Sequence, residues 1–334
     1  MRIDVTGRAP RVLVAPDSFK GTMTARQVAT ALAEGIHEAG GAPVMLPLAD
    51  GGEGTAAVLR QAVGGQVIRG WAEDPLGGQV MAELVWNPVT RTAIVETASA
   101  TGLHLITPSP AHAWEASSAG TGQLLAACAA LGADLVLLGV GGSACTDGGV
   151  GALRALRAAG GLNRCRVQVL CDVVTPFEDA ATVFGPQKGA DTATVERLTR
   201  RLDRLAGQLP RDPRGILRTG AAGGLSGALW SAYSAELVSG IDAVLDLLEA
   251  DRVLQNVDLV VTGEGRLDAQ TGQGKVIDGV LRRARAAGIP VVAVVGQHAL
   301  DDAEWARLGL AGVHVAGDKA ALREVGHQLI GREL

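Results

Sequence analysis

Short apolar runs recur along the chain, and their hydrophobic positions are consecutive rather than alternating. They read RVLVAP (Arg11–Pro16), DLVLLGV (Asp134–Val140), VQVLCD (Val167–Asp172), DLVVTG (Asp258–Gly263), VVAVVG (Val291–Gly296) and VHVAG (Val313–Gly317). Runs of this kind fit strands covered on both faces. Stretches with helical patterning lie between many of them. Thr24–Ala39 opens with a threonine suited to an N-cap and stops at Gly40-Gly41. Gly120–Leu131, Asp147–Ala159, Thr192–Gly207 and Lys275–Ala287 follow the same pattern. The alternation predicts an α/β architecture built on a parallel sheet.

Trp71–Leu103 breaks this rhythm. GQVMAELVW and RTAIVETA read as two paired strands joined at Asn87-Pro88, without helix signals. Pro108–Ser118 reads as a small-residue linker, and Leu170–Gly189 and Thr219–Leu229 read as loops. A chain of 334 residues exceeds the usual size of one domain, about 100–200 residues. Together these features predict a second, mixed domain inserted into a Rossmann-like one.

Hydrophobic residues make up 47% of the chain but aromatic ones only 3%, so the cores must be built from Ala, Val and Leu. A net charge of −5 without a lysine/arginine block argues against nucleic acid as a partner. The four cysteines form no CxxC pair and read as reduced thiols. MRIDVTGRAPR has no apolar signal region, and no apolar run reaches the ~18 residues of a membrane span, so a soluble cytoplasmic protein is expected. The six histidines show no metal-ligand spacing.

The chemistry concentrates in glycine-rich acidic segments directly after apolar runs: APDSFKGT (Ala15–Thr22), PLADGGEGT (Pro47–Thr55), GVGGSACTDGG (Gly139–Gly149) and VTGEGRLDAQTGQGK (Val261–Lys275). Glycine lets a backbone approach a ligand, and carboxylates beside it can hold a metal or move a proton. Four such segments at strand ends suggest one cleft for a phosphorylated ligand. Gly139–Asp147 fits an anion seat at a helix N-terminus, with Asp147 either reaching a metal or capping the helix. The same stretch fits the dinucleotide fingerprint, with Gly139, Gly141 and Ala144 in register and Asp172 at the next strand end. Glu264, Asp268 and Lys275 share one loop, which is not a Walker A motif because Ala269 and Val276 occupy key places. Lys188 sits between glycines in FGPQKG, as a point charge suited to phosphate. Each segment alone also fits ordinary turn and capping chemistry.

Taken in order, APDSFKG, PLADGGEGT, SAGTG (Ser118–Gly122), GVGGSACTDGG, CDV (Cys171–Val173), FGPQKGA (Phe184–Ala190), GAAGGL (Gly220–Leu225) and TGEGRLDAQTGQGK resemble the bacterial type-1 glycerate kinase family over nearly the whole chain. The chain departs from that pattern at Cys145-Thr146, at Ala119 and in two shortened stretches flanking Cys171-Asp172. The resemblance implies transfer of the ATP γ-phosphoryl group to D-glycerate, giving 2-phosphoglycerate, with Mg²⁺ as the metal. It also implies a discontinuous flavodoxin-like domain (1–68, 119–165 and 236–334) and an inserted mixed α/β domain with a restriction-enzyme-like core (69–118 and 166–235). For such a transfer the candidate metal ligands are Asp50, Glu53 and Glu264. Gly141, Gly142, Ser143, Asp147, Gly263 and Gly265 are candidates for the nucleotide, and Asp17, Ser18 and Thr121 for the acid substrate. Lys20, Lys188 and Lys275 would neutralise charge, and Asp172 or Asp268 would act as general base. An NAD-dependent oxidoreductase and a non-catalytic small-acid sensor on the same fold are the competing readings.

Overall fold

The computed structural model describes residues 8–267, 276–298, 305 and 307–332. Thirteen strands, numbered here in chain order, occur among the described residues. The chain divides into two compact units, Met1–Asp50 with Ile241–Leu334, and Gly51–Gly240.

The first unit carries a five-stranded sheet in the order β13-β11-β9-β1-β2, where β1 is Arg11–Pro16, β2 Ala42–Met45, β9 Leu259–Gly263, β11 Val291–Val295 and β13 Gly312–Val315. Every pairing is parallel. Counted within this unit the order is 2-1-3-4-5, the doubly wound order whose direction reverses between its first and third strands. β9 and β11 are buried at every position, as their unbroken apolar runs predict. One face of the sheet packs Val12, Val14, Val261 and Val292 against Leu32 and Ile36 of the helix Ala25–Glu38 and Leu322 and Leu329 of the helix Lys319–Arg332. The predicted Thr24 cap is present as a capping box, with Thr24 and Gln27 each accepting from the other's backbone N–H.

The second unit holds a six-stranded sheet ordered β3 to β8: Gln66–Glu73, Gln79–Asn87, Thr92–Glu96, Leu135–Gly139, Arg166–Leu170 and Glu236–Val238. β3, β4 and β5 are antiparallel, and β5 through β8 are parallel. The predicted pairing of the two strands within Trp71–Leu103 is therefore present. Its core places Leu84, Val95, Val136, Leu138 and Val169 against Leu125, Leu156 and Leu229 from three helices.

The contact boundary falls elsewhere than the sequence boundaries. Residues 51–68, 119–165 and 236–240 group with the mixed sheet, because β6 pairs with β5 and β7 in one hydrogen-bonded ladder. The three stretches read as loop or linker are all partly helical, at Pro110–Glu115, Ala180–Phe184 and Leu225–Tyr233. Ser109 caps the first with Pro110 at its first turn, a signal present in the sequence. The helix predicted from Asp147 starts at Val150 instead, because Asp147 closes the turn before it.

In the first unit two helices cross through glycine. A Cβ on Gly35 would stand 1.9 Å from the Arg323 carbonyl oxygen, and one on Gly326 2.3 Å from that of Leu32. Gly35→Ala improves helix propensity by ~1 kcal/mol, but overpacking costs about 1–3 kcal/mol, and here the obstacle is backbone. The expected outcome is a lower denaturation midpoint for Gly35→Ala. A raised midpoint would mean that the helices separate freely.

Candidate active site

In the first unit the candidate residues gather at the carboxyl ends of β1, β2 and β9. The chain leaves β1 into Asp17, whose N–H donates to the Gly263 carbonyl at 2.8 Å and so ties the loop to the end of β9. Phe19 is buried and exchanges two backbone bonds with Met23, which presents Lys20 at an exposed turn. Asp50 follows β2, guided by the Leu48 N–H on the Pro16 carbonyl at 2.9 Å. Glu264 follows β9 and is buried, and the Gly265 carbonyl accepts the Gln297 N–H at 3.1 Å.

The electrostatics are lopsided. Burial pushes the Asp17 carboxyl up to about 7, and the charges of Asp50 and Glu264 push the same way. The Ser18 N–H, which donates to Asp17 Oδ1 at 2.6 Å, and the Lys20 charge oppose this without cancelling it. Asp17, Ser18, Lys20, Asp50, Gly263, Glu264 and Gly265 thus form one group, all expected from the sequence. Among the described residues no three His, Cys, Asp or Glu side chains stand preassembled around a metal position. Asp268 and Lys275 lie outside the described residues.

In the second unit the acidic turn after Asp50 crosses the end of β6. The Gly141 N–H donates to the Gly51 carbonyl at 3.1 Å, and a Cβ on Gly141 would stand 2.5 Å from Gly52 Cα. Glycine at 141 is therefore demanded by a backbone crossing, and its N–H is occupied. Glu53 is exposed on this turn. Sequence reasoning missed Glu96 at the end of β5, whose Oε1 accepts the Ala56 N–H at 2.7 Å and pins the same turn. Burial holds the Glu96 carboxyl above its ordinary value, with the Glu53 charge adding to the effect. The available signal was an acid ending a predicted strand.

The glycine turn after β6 is held from several sides. Leu103 N–H donates to the Gly142 carbonyl at 2.8 Å, and Ala144 N–H to that of Thr101 at 2.9 Å. The buried Asp147 carboxylate accepts from Ser118 N–H and Oγ–H, both at 2.9 Å, and from Gly149 and Gly151 N–H, both at 3.0 Å. Four donors occupy it, so the capping alternative describes what Asp147 does here. Lys188, 2% exposed, donates to Ser143 Oγ at 3.3 Å and to the Cys145 carbonyl. Burial pulls its ammonium down to about 8, against the opposing influence of Cys145 and Asp147. Arg201, also missed, donates to the Thr146 carbonyl.

Asp172 follows β7 and accepts Ser239 Oγ–H at 3.0 Å. Thr121 is fully buried in the helix Ala119–Ala130 with its hydroxyl 2.7 Å from Thr101 Oγ1. That placement leaves a substrate no surface to touch at Thr121. The dinucleotide template needs its glycine turn to open directly into a helix. Here Ser143 instead bridges to Gly102 and the helix waits until Val150, so the fingerprint spacing is coincidental.

The family model described as the glycerate kinase family matches residues 12–161 and 157–325. Glycerate kinase of Haemophilus influenzae is 38% identical over 323 residues, 86% of this chain and 85% of that protein. Glycerate 2-kinase of Escherichia coli is 34% identical over 323 residues, with the same shares. The crystal structure of a protein assigned as glycerate kinase 2 from Salmonella typhimurium LT2 superposes with a TM-score of 0.80 at 31% identity, covering 97% of this chain and 98% of that one. No described helix is long and apolar enough to cross a membrane. The chain belongs to the glycerate kinase family.

Proposed function

We propose that this protein transfers the γ-phosphoryl group of ATP to a hydroxyl of D-glycerate, giving 2-phosphoglycerate and ADP. The observation that carries the reading is the crowding of Asp17, Asp50 and Glu264 at the reversal point of the parallel sheet, where doubly wound folds bind ligands. The charges of Asp50 and Glu264 add to the burial that raises the Asp17 carboxyl, and a divalent cation would relieve that repulsion. Magnesium needs only one or two carboxylates beside phosphate oxygens and water. One or two of Asp17, Asp50 and Glu264 would hold it, and when bound it would neutralise charge on the triphosphate.

The remaining roles follow from charge and reach. Lys20, exposed on its turn, is placed to meet an anion from solvent. Lys188 acts from beneath: its buried ammonium lends positive potential to the Gly142-Ser143 turn without being exposed itself. Asp172, oriented by Ser239, takes the proton of the attacking hydroxyl as that oxygen bonds to the γ-phosphorus and the bond to the β-phosphate oxygen breaks. Asp268 is the other candidate for this proton. Asp147 and Thr121 serve the scaffold.

The direct test is release of ADP from Mg-ATP with D-glycerate, set beside tartronate and other small hydroxy acids, with the product's phosphate position read by NMR. Turnover with D-glycerate to the 2-phosphate is expected. Absence of any acid-dependent ADP would end the proposal.

Asp17→Asn is expected to lower turnover by at least about 10²-fold, the scale of losing an essential charged group. Its stability should move the other way. The raised carboxyl keeps its proton up to about pH 7 in the folded chain, while the unfolded chain loses it near 3.8. Stability therefore falls as pH rises across that window, and the asparagine variant should lose this slope. Thermal melting between pH 4 and 8 reads it, and an unchanged slope would contradict the assignment.

For Lys188 the pKa shift is downward. The ammonium is charged below about pH 8 and neutral above it. Anion affinity should weaken as pH climbs through that value, appearing as a rising KM, and Lys188→Arg should shift the rise upward. A KM that stays flat to pH 10 in the unsubstituted enzyme would remove Lys188 from the site.

A further inference from the structure

The helix Thr192–Ala206 carries four arginines that the proposed reaction does not use. Arg197, Arg200, Arg201 and Arg204 follow one another at spacings that place them on a single face. The Trp114 ring lies against them, with Arg197 Cζ 4.1 Å and Arg201 Cζ 4.5 Å from its centroid. Trp114, Arg197, Arg200, Asp203 and Arg204 line an open pocket of about 460 Å³. Its one acid, Asp203, is bound at 2.6 Å by Arg214. Among the described residues, the carboxylate paired with Arg200 is Glu196 on the same helix, at a loose 3.7 Å and well exposed. The pocket therefore keeps a surplus of positive charge over an aromatic floor, and the indole holds two guanidinium planes in place.

We propose that this pocket binds a small phosphorylated acid, with its phosphate and carboxylate taken by Arg197, Arg200 and Arg204. Guanidinium forks match both anions bidentately. A ligand carrying two anions separated by a short carbon chain uses more than one fork, which a lone phosphate cannot do. Arg201 links the pocket to the glycine turn, since it donates to the Trp114 carbonyl at 2.9 Å and to that of Thr146. The site stands independently of the proposed reaction, because its readout is binding.

The test is calorimetric titration of the full chain with 2-phosphoglycerate, 3-phosphoglycerate and inorganic phosphate. The same titrations are run on the Arg200→Ala/Arg204→Ala and Arg200→Lys/Arg204→Lys double variants. Both positions are exposed, so circular dichroism and thermal melting should match the parent protein. A binding event for a phosphorylated acid is expected to weaken at least tenfold in the alanine variant and to recover in part with lysine, while the KM and kcat for glycerate stay unchanged. Two results would overturn the proposal: equal affinity and stoichiometry in parent and alanine variant, or inorganic phosphate binding as tightly as the phosphorylated acids. A protein that fails to phosphorylate glycerate but shows the lost binding event would refute the reaction and leave this site standing.

Discussion

Negative charge crowded at the carboxyl ends of parallel strands is the constraint on which the first unit turns. Like charges at short range in a partly dry setting repel strongly, so free chain segments would move apart. Here they are prevented from doing so. Asp17 leaves β1, Asp50 follows β2 and Glu264 leaves β9, and a parallel hydrogen-bond ladder holds those strands side by side. The bond from Asp17 N–H to the Gly263 carbonyl extends that ladder into the loop. The sheet's apolar burial supplies the stability that offsets the repulsion, while burial, with the charges of Asp50 and Glu264 adding to it, keeps the Asp17 carboxyl raised.

The second unit solves a different problem with different means. Its glycine turn is held rigid from both sides. Close backbone crossing fixes one side, where Gly141 meets Gly51 and Gly52, and the fully bonded Asp147 fixes the other. Lys188 then places a charge behind the turn at the cost of desolvating it, which is why its ammonium sits well below the usual lysine range. Positive potential held by a buried group needs no reorganisation when an anion arrives. The arginine face of the helix Thr192–Ala206 reaches the same turn through Arg201, which gives this unit a second region of positive charge.

Residue by residue, the sequence was most informative where one local pattern decides the outcome. The consecutive apolar runs became β1, β6, β7, β9, β11 and β13, and Thr24 with Gln27 became a capping box, because strand-forming runs and caps are written in neighbouring residues. The strands β2, β3 and β8 escaped notice, since their partly to largely exposed patterns lack that continuous apolar signature. The candidate residues Asp17, Ser18, Lys20, Asp50 and Glu264 were legible as acids and amines beside glycine at strand ends. Glu96 and Arg201 were not, because each acts on a backbone segment far away in the chain.

What the sequence determined by itself was therefore the inventory: an α/β chain, its principal strands, its family through collinear motifs, and the residues able to carry phosphoryl chemistry. Only the tertiary structure decided their employment. Asp147 and Thr121 look like ligands in a motif, yet one is saturated by four donors and the other is sealed beneath a helix. The Gly139–Ala144 spacing fits a dinucleotide turn, but long-range pairing with residues 101–103 sends the chain elsewhere before a helix begins. Motif spacing records which groups are near in the chain. Hydrogen-bond saturation, burial and the sign of a pKa shift depend on partners brought in from anywhere along it, and those the fold alone supplies.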